Sequence, residues 1–482
     1  GGTVVGWQWR DDQNAVIGTT ESVVWTPTTA GALTVSVTVT DDNGATASDT
    51  LVVTVTDDSE PADSRNFGVD RSANIGATIV AGSQAHLSGL PITTTHWIGG
   101  DDSSLVPELR ALLPTLQPGD AVIVRDGSYE LKSDVLRWPT TVSGNASAPI
   151  FLLAETVGGV QISGNLEWRL KGLYLHVAGF RFVNTTQRLL LEGDHARFTN
   201  NTFDQAENAL GILASYVEID NNIWSGSLGQ SLWHGQAHIG CNSDCPTYRY
   251  NRIHHNTWHD IAKTKSNGLE PIMLGYGYAP LPPGYDNATH ARIDHNLFLN
   301  VPGDDEVISV KSDSNTIEHN CIVDSGKGAL VVRMGSGNRL RHNEVLGARN
   351  TPIRISGESN IVENNVFETD NSLVAGVALH SSEKKDSTDV YYRYLAAKDN
   401  TITDNRFIGY QFSARDYPAA GLLIEASSNN AIEQNRFEAT AGMEPGVRAD
   451  RHRSVEEFLR DNRITDNVAN GNLPAPDSVC LQ

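Results

Sequence analysis

The run Ile293-Asp294-His295-Asn296-Leu297-Phe298 returns as Ile317-Glu318-His319-Asn320-Cys321-Ile322, as Leu340-Arg341-His342-Asn343-Glu344-Val345 and as Val362-Glu363-Asn364-Asn365-Val366-Phe367. Its form is an apolar residue, any residue, a polar one, an asparagine, any residue, and an apolar residue. Looser copies lie upstream as Phe198…Asn201…Phe203, Ile219…Asn222…Trp224 and Ile253…Asn256…Trp258. Others follow as Ile402…Asn405…Phe407, Ile432…Asn435…Phe437 and Ile464…Asn467. Successive asparagines are 21, 34, 40, 24, 23, 22, 40, 30 and 32 residues apart, a base period near 22 with insertions in some coils. A period of this length, with short β-branched strands and no helical pattern, reads as a β-solenoid. Each coil then gives two or three short strands to parallel sheets. Inward asparagines stack along the axis, each amide satisfying the next. These asparagines are therefore assigned to the scaffold and not to catalysis.

The expected fold is all-β: a right-handed parallel β-helix over residues 75–482, preceded by a small Ig-like β-sandwich at 1–56 and a linker at 57–74. In the first segment Val4-Val5-Gly6-Trp7-Gln8-Trp9 and Leu33 to Thr40 alternate as strands do. The turn Asp41-Asp42-Asn43-Gly44 leads to a further alternating run from Leu51. With its W-x-W start and Val39-Thr40-Asp41-Asp42-Asn43-Gly44-Ala45 turn, the segment resembles a polycystic-kidney-disease-type domain with its first strand clipped. Residues 105–116 read as a helix capping the N-terminal end of the coils and blocking edge pairing.

The 482 residues carry 36 basic and 58 acidic side chains, a formal charge of −22. Nucleic-acid binding needs a basic field, so the balance argues against it. A local basic groove for a polyanionic sugar is still compatible with an acidic body. No apolar run approaches the roughly 20 residues that span a bilayer. The chain opens on Gly1-Gly2 inside a strand-rich segment, as a secreted or periplasmic protein with a trimmed leader would. Of the four cysteines, Cys241 and Cys245 are spaced for a local disulfide, with half a zinc site as the other reading.

Residues one period apart sit about 4.8 Å apart on one face of a solenoid. Counting from each coil's asparagine places Asn267, then Asp304 and Glu306, then Lys311, Arg333 and Arg354 on one face of neighbouring coils. Stacking three cations at one strand spacing costs folding energy. Two readings follow: a solvated, salt-bridged surface, or a site for a polyanion. Asp304 and Glu306, two apart and expected on one strand, form with the Asn267 amide an oxygen-rich cluster suited to calcium.

The segments Asn267-Gly268-Leu269-Glu270, Asp304-Asp305-Glu306-Val307-Ile308-Ser309-Val310-Lys311-Ser312, Leu330-Val331-Val332-Arg333 and Ile353-Arg354-Ile355 resemble polysaccharide lyase family 6. That family contains alginate lyases and chondroitin B (dermatan sulfate) lyases. Upstream, Leu116 to Val124 and Asp126-Gly127-Ser128-Tyr129 resemble its opening coil. The resemblance covers about residues 75–440 and implies a calcium-assisted β-elimination on an acidic polysaccharide. It implies Lys311 as the base and Arg333 as the group assisting the leaving oxygen. Asn267, Asp304 and Glu306 match the Ca2+ ligands, and Arg354 and Glu270 fall at substrate-binding positions. Three departures stand out: Asp304 where the family commonly has Glu, Met334 where His often follows the arginine, and Met273 where an arginine is often found.

Alginate is preferred to dermatan sulfate as substrate, because reading sulfate calls for further arginines. A β-helical glycoside hydrolase using Asp304 and Asp305 is one alternative. A non-catalytic polysaccharide-binding protein is another. Insertions at 276–289 and 381–394 are expected to wall the cleft.

Overall fold

The computed structural model describes residues 2–469 except 22, 24–30, 56–74, 101–104, 133–134, 187, 208, 230, 235–246, 265–267, 276–285, 326–327, 370–374, 381, 385–394, 418–421 and 439–453. The chain divides into two compact units, residues 1–69 and 70–482. In the first, the described residues form one four-stranded antiparallel sheet, ordered Val16–Gly18, Val4–Arg10, Gly31–Asp41, Thr46–Val55. Its tight turn is held by Asp41, whose carboxylate accepts from the backbone N–H of Asn43 (3.0 Å) and Ala45 (2.8 Å). Gly44 there takes φ +80°, open to glycine at little cost.

The second unit is a parallel β-helix with three long sheets. One coil runs Arg292–Asp294 in sheet A, Leu297–Leu299 in sheet B and Ile308–Val310 in sheet C, then returns to sheet A at Thr316–Glu318. Among the described residues the sheets hold 14, 13 and 11 strands. The apolar positions of the repeat become columns facing the interior. In sheet A, Ile219, Ile253, Ile293, Ile317, Leu340, Val362, Ile402 and Ile432 are partnered one to the next. In sheet B the column is aromatic, with Trp224 on Trp258 at 4.5 Å and Trp258 on Phe298 at 4.8 Å between ring centres. Both tryptophans are fully buried. Cutting Trp258 to alanine removes a stacked layer and should cost about 3–5 kcal/mol.

The asparagines form the expected ladder. Asn320 donates from its backbone N–H (3.0 Å) and its side-chain Nδ2 (3.0 Å) to Asn343 Oδ1, and from Nδ2 to the Ile293 carbonyl (2.9 Å). The pattern repeats from Asn201 to Asn467. A second ladder, absent from the sequence reading, runs five residues earlier through Asn315, Asn338, Asn360, Asn400, Asn430 and Asn462. Between them the two ladders fasten both ends of the sheet A strands from Thr316–Glu318 to Arg463–Thr465, so these coils repeat their turns in register.

The helix Leu105–Leu112 buries Leu105, Val106 and Leu109 in the same core and gives way to a short turn of helix at 113–115, where Pro114 stops it. The strand Thr94–Ile98, which precedes this helix, pairs with Asp120–Val124 and is the outermost strand of sheet A. At that sheet the first edge is thus a strand and not the helix expected there. At the other end the helix Val455–Asp461 carries a capping box, Ser454 with Glu457, and buries Phe458. No described helix is long and apolar enough to cross a membrane. Cys321 is disulfide-bonded. The other three cysteines, and with them the expected Cys241–Cys245 pair, lie outside the described residues.

Candidate active site on sheet C

Sheet C positions the site through its alternation. Ile272 and Leu274, Ile308 and Val310, Leu330 and Val332, and Ile353 and Ile355 face the core. The residue between each pair therefore faces outward, and the register aligns Met273, Ser309, Val331 and Arg354 in one row. Lys311 and Arg333 come one residue after Val310 and Val332, continue the ladder (Lys311 N to Leu274 O, 2.8 Å; Arg333 N to Val310 O, 2.7 Å) and lie side by side. Arg354 does not stack on Arg333, which would need a coil of 21 residues. Its partner is Val331, two residues behind Arg333, because that coil is 23 residues long and Ser356 takes the aligned place. Its guanidinium still reaches back, donating to the Asp305 carbonyl at 3.1 Å.

Asp304 and Glu306 sit in the bend before the strand Ile308–Val310, not on a strand as expected. Their positions come from other contacts. Asp304 accepts the backbone N–H of Leu269 (3.2 Å) and of Asp305 (2.7 Å). Glu306 takes the Ser309 hydroxyl on one oxygen, while Arg333 (3.4 Å) and Arg354 (3.5 Å) converge on the other. Glu270 is buried nearby, and Asn267 lies outside the described residues. The insertions at 276–289 and 381–394 also fall largely outside them.

Lys311 is the unusual group. It is 6% exposed, and its Nζ makes its one side-chain hydrogen bond to the Met273 sulfur at 2.9 Å, a weak acceptor. Among the described residues it forms no ion pair. Burial pushes its pKa down, the charges of Glu306 and Glu270 oppose that, and Arg333 adds to the lowering. Burial likewise pushes Glu270 and Asp304 up, and for Asp304 the neighbouring Glu306 and Asp305 charges add to it against two backbone hydrogen bonds. Two buried carboxylates at mutual cost, all-oxygen in their donors, fit a hard divalent cation. Two coils beyond Arg333, His380 is buried with its pKa lowered to about 3, first by burial and then by Arg354 and Arg333. Sequence reasoning gave no role to Ser309 within its quoted segment, missed His380, which carries no motif, and saw Met273 only as a departure.

A second cluster with ligand-type atoms close together, Glu218, Asp220 and His254, lies on sheet A. There Arg197 already binds Asp220 through two contacts of 2.8 Å and approaches Glu218 at 3.5 Å, so a fixed guanidinium supplies the positive charge.

A parallel β-helix with a buried lysine and converging arginines on one outer face has the architecture of a polysaccharide lyase, and the comparisons with known proteins place the chain in that class. A family model described as chondroitinase B matches residues 104–418, about two-thirds of the sequence, and the chain belongs to that family. No curated protein matches it in sequence. Among solved structures it is similar to the PL6 family polysaccharide lyase Pedsa3628 from Pseudopedobacter saltans, with TM-score 0.62 and 20% identity over 80% of this chain and 94% of that one. It is also similar to a mannuronic acid specific family 6 lyase from human gut microbiota, with TM-score 0.57 and 20% identity over 78% and 91%. The PL6 family alginate lyase AlyGC matches with TM-score 0.61 and 19% identity over 79% of this chain and 51% of that one. At these identities the structural likeness speaks for the fold. Family membership displaces the hydrolase and binding-protein alternatives.

Proposed function

We propose that this lyase cleaves a 4-linked uronate polymer, alginate first, by β-elimination with Lys311 as base and Arg333 assisting the leaving oxygen. The observation that carries the reading is Lys311 itself: a buried amine with a thioether for company, beside Arg333 and facing acidic groups that hold no ion pair with it. Burial favours the neutral form of such an amine, the form a general base requires. Its Nζ lone pair takes the C5 proton. The C5–H electrons form the C4–C5 double bond, the C4–O4 bond breaks, and O4 leaves with a proton from Arg333 or from water held by it. Arginine gives up a proton reluctantly, so Arg333 acts chiefly by stabilising charge on O4. Arg354 grips a substrate carboxylate, and Glu270 hydrogen-bonds the sugar.

Asp304, Glu306 and Asn267 would hold Ca2+. When bound, calcium neutralises the uronate carboxylate and so acidifies the C5 proton. The names of the similar structures favour alginate, while the chondroitinase B family model favours dermatan sulfate as the second reading. A polymer-degrading enzyme of this kind works where its polymer is, in the medium or the periplasm. Residues 1–56, read as a polycystic-kidney-disease-like module, serve as spacer or anchor.

The test offers alginate, dermatan sulfate and pectate separately and follows ultraviolet absorbance. A rise that disappears on exhaustive chelation and returns with calcium supports the whole reading. No rise with any polymer, in a folded calcium-supplied sample, sinks it; a rise indifferent to chelation removes only the metal.

A further inference from the structure

At the N-terminal end of the same sheet C lies a cavity of about 430 Å³ lined by Arg110, Leu113, Pro114, Val135, Arg137 and Pro139, among others. Its place relative to the site follows from register alone. Leu136 and Trp138 face the core, so Arg137 between them faces outward. Partner by partner, the row runs Arg137, Arg169, Leu190, Gly211, Trp233, Met273, Ser309, Val331, Arg354. Arg137 and the Ser309 strand are thus six strands apart on one face, about 29 Å at one strand spacing each.

The chemistry of this cavity is distinct within so acidic a chain. Among its described lining residues there are two guanidinium groups and no carboxylate. Arg110 donates to the Val135 carbonyl, which fixes it against the wall. Arg137 is 65% exposed and, among the described residues, pairs with one acid, Glu167, at 3.7 Å with both groups open to water, a pairing easily exchanged for another anion. The walls are proline, leucine and valine, which suit the C–H face of a sugar ring, and Thr141 adds a hydroxyl. Arg169, next in the row, and Lys171, two residues further along the chain, share the single carboxylate of Glu192, so this end of the face stays positive.

We propose that this cavity is a second binding site for the uronate polymer, remote from the reacting centre, in which Arg137, beside the Arg110 side chain, receives a sugar carboxylate. It rests on the reading of the substrate as a uronate polymer. It holds the long chain on the enzyme and contributes nothing to the elimination step. Short oligomers that cannot span six strand spacings gain nothing from it.

The test uses the full chain carrying Lys311→Ala, electrophoresed through gels containing alginate or, separately, dermatan sulfate. With Arg137→Glu added, the apparent Kd for the retained polymer should rise about three- to five-fold, the scale of one exposed charge contact. Arg110→Gln should weaken retention in the same direction. With Lys311 intact, Arg137→Glu should leave turnover of a short oligosaccharide unchanged while raising KM for the polymer. Unchanged retention overturns the proposal, and so does an equal loss with short and long substrates. A Lys311→Ala chain retained by neither polymer also overturns it; if the intact chain nevertheless cleaves one of them, the proposed function stands without this site.

Discussion

Two faces of the same β-helix carry dense charge, and they treat it in opposite ways. In the middle coils of sheet A the buried acids are met by guanidinium groups at close range: Asp220 by Arg197 at 2.8 Å, Asp294 by Arg252 at 2.9 Å, Glu318 by Arg292 at 2.9 Å and by Arg341 at 2.6 Å, while Asp120 near the sheet's edge meets His96 at 3.2 Å. Burial alone would raise the pKa of Asp220 and Asp294, yet their partners hold both well below the usual carboxylate range. On sheet C the contacts between Glu306 and its arginines are 3.4 and 3.5 Å, and Lys311 has a sulfur for a neighbour. Here burial wins, and Lys311, Glu270 and Asp304 are all shifted toward their neutral forms. The architecture is common to both faces, so the difference lies in how completely the charges are paired. A fully paired face stabilises the coils. A face whose buried amine meets only a thioether is ready to act on something else.

The comparison can be broken by exchanging damage between the faces. Lys311→Ala should lower kcat by about 100-fold to 10,000-fold, the range for losing a general base, with no loss of melting temperature. Arg197→Ala should do the reverse, costing about 3–5 kcal/mol in stability by stranding Asp220 and Glu218, with kcat of the folded fraction little changed. If Arg197→Ala inactivates without destabilising, or Lys311→Ala unfolds the chain, the two faces are not divided as described.

The electrostatic reading is sharpened by Met273→Glu. A carboxylate at the sulfur's position favours the Lys311 ammonium, so the rising limb of the kcat–pH profile should move to higher pH. Met273→Leu should leave that limb nearly in place. Equal effects from the two variants would show that Met273 acts by shape alone.

The smallest expected effect concerns acid stability. His176 and His380 are buried with pKa values lowered to about 3, in each case first by burial. An unfolded histidine titrates near 6.5, so the unfolded state binds protons that the folded state refuses. Stability is therefore lost as pH falls below about 6.5 and continues to fall toward 3. Thermal melts of His176→Asn across that window should show a shallower decline than the parent. A parallel decline would assign the acid sensitivity elsewhere.

Much of this was legible in the sequence because a solenoid converts spacing into position. The repeat around Asn296 and Asn320 announced the ladder, and the 22-residue interval from Lys311 to Arg333 put those two side by side. The same arithmetic misplaced Arg354, since it follows Arg333 by 21 residues while the coil between them is 23 long, and that shift of two cannot be seen without the hydrogen bonds. The second ladder was present as asparagines five residues before the first, at Asn315 and Asn338 among others, but lacks the apolar frame that made the first conspicuous. Asp304 and Glu306 are fixed by contacts to Leu269, Ser309 and the arginines, and sequence spacing does not reveal such contacts. That Lys311 ends against Met273 depends on side-chain packing in adjoining coils, which the repeat does not encode.

The central claim, elimination driven by Lys311, is tested most directly by identifying the end groups formed when the polymer is cut. Nuclear magnetic resonance of the products should show one 4,5-unsaturated uronate at a new non-reducing end for each new reducing end, and none from Lys311→Ala. Saturated non-reducing ends in equal number to the reducing ends would mean hydrolysis, and unsaturated ends at undiminished rate from Lys311→Ala would mean another base.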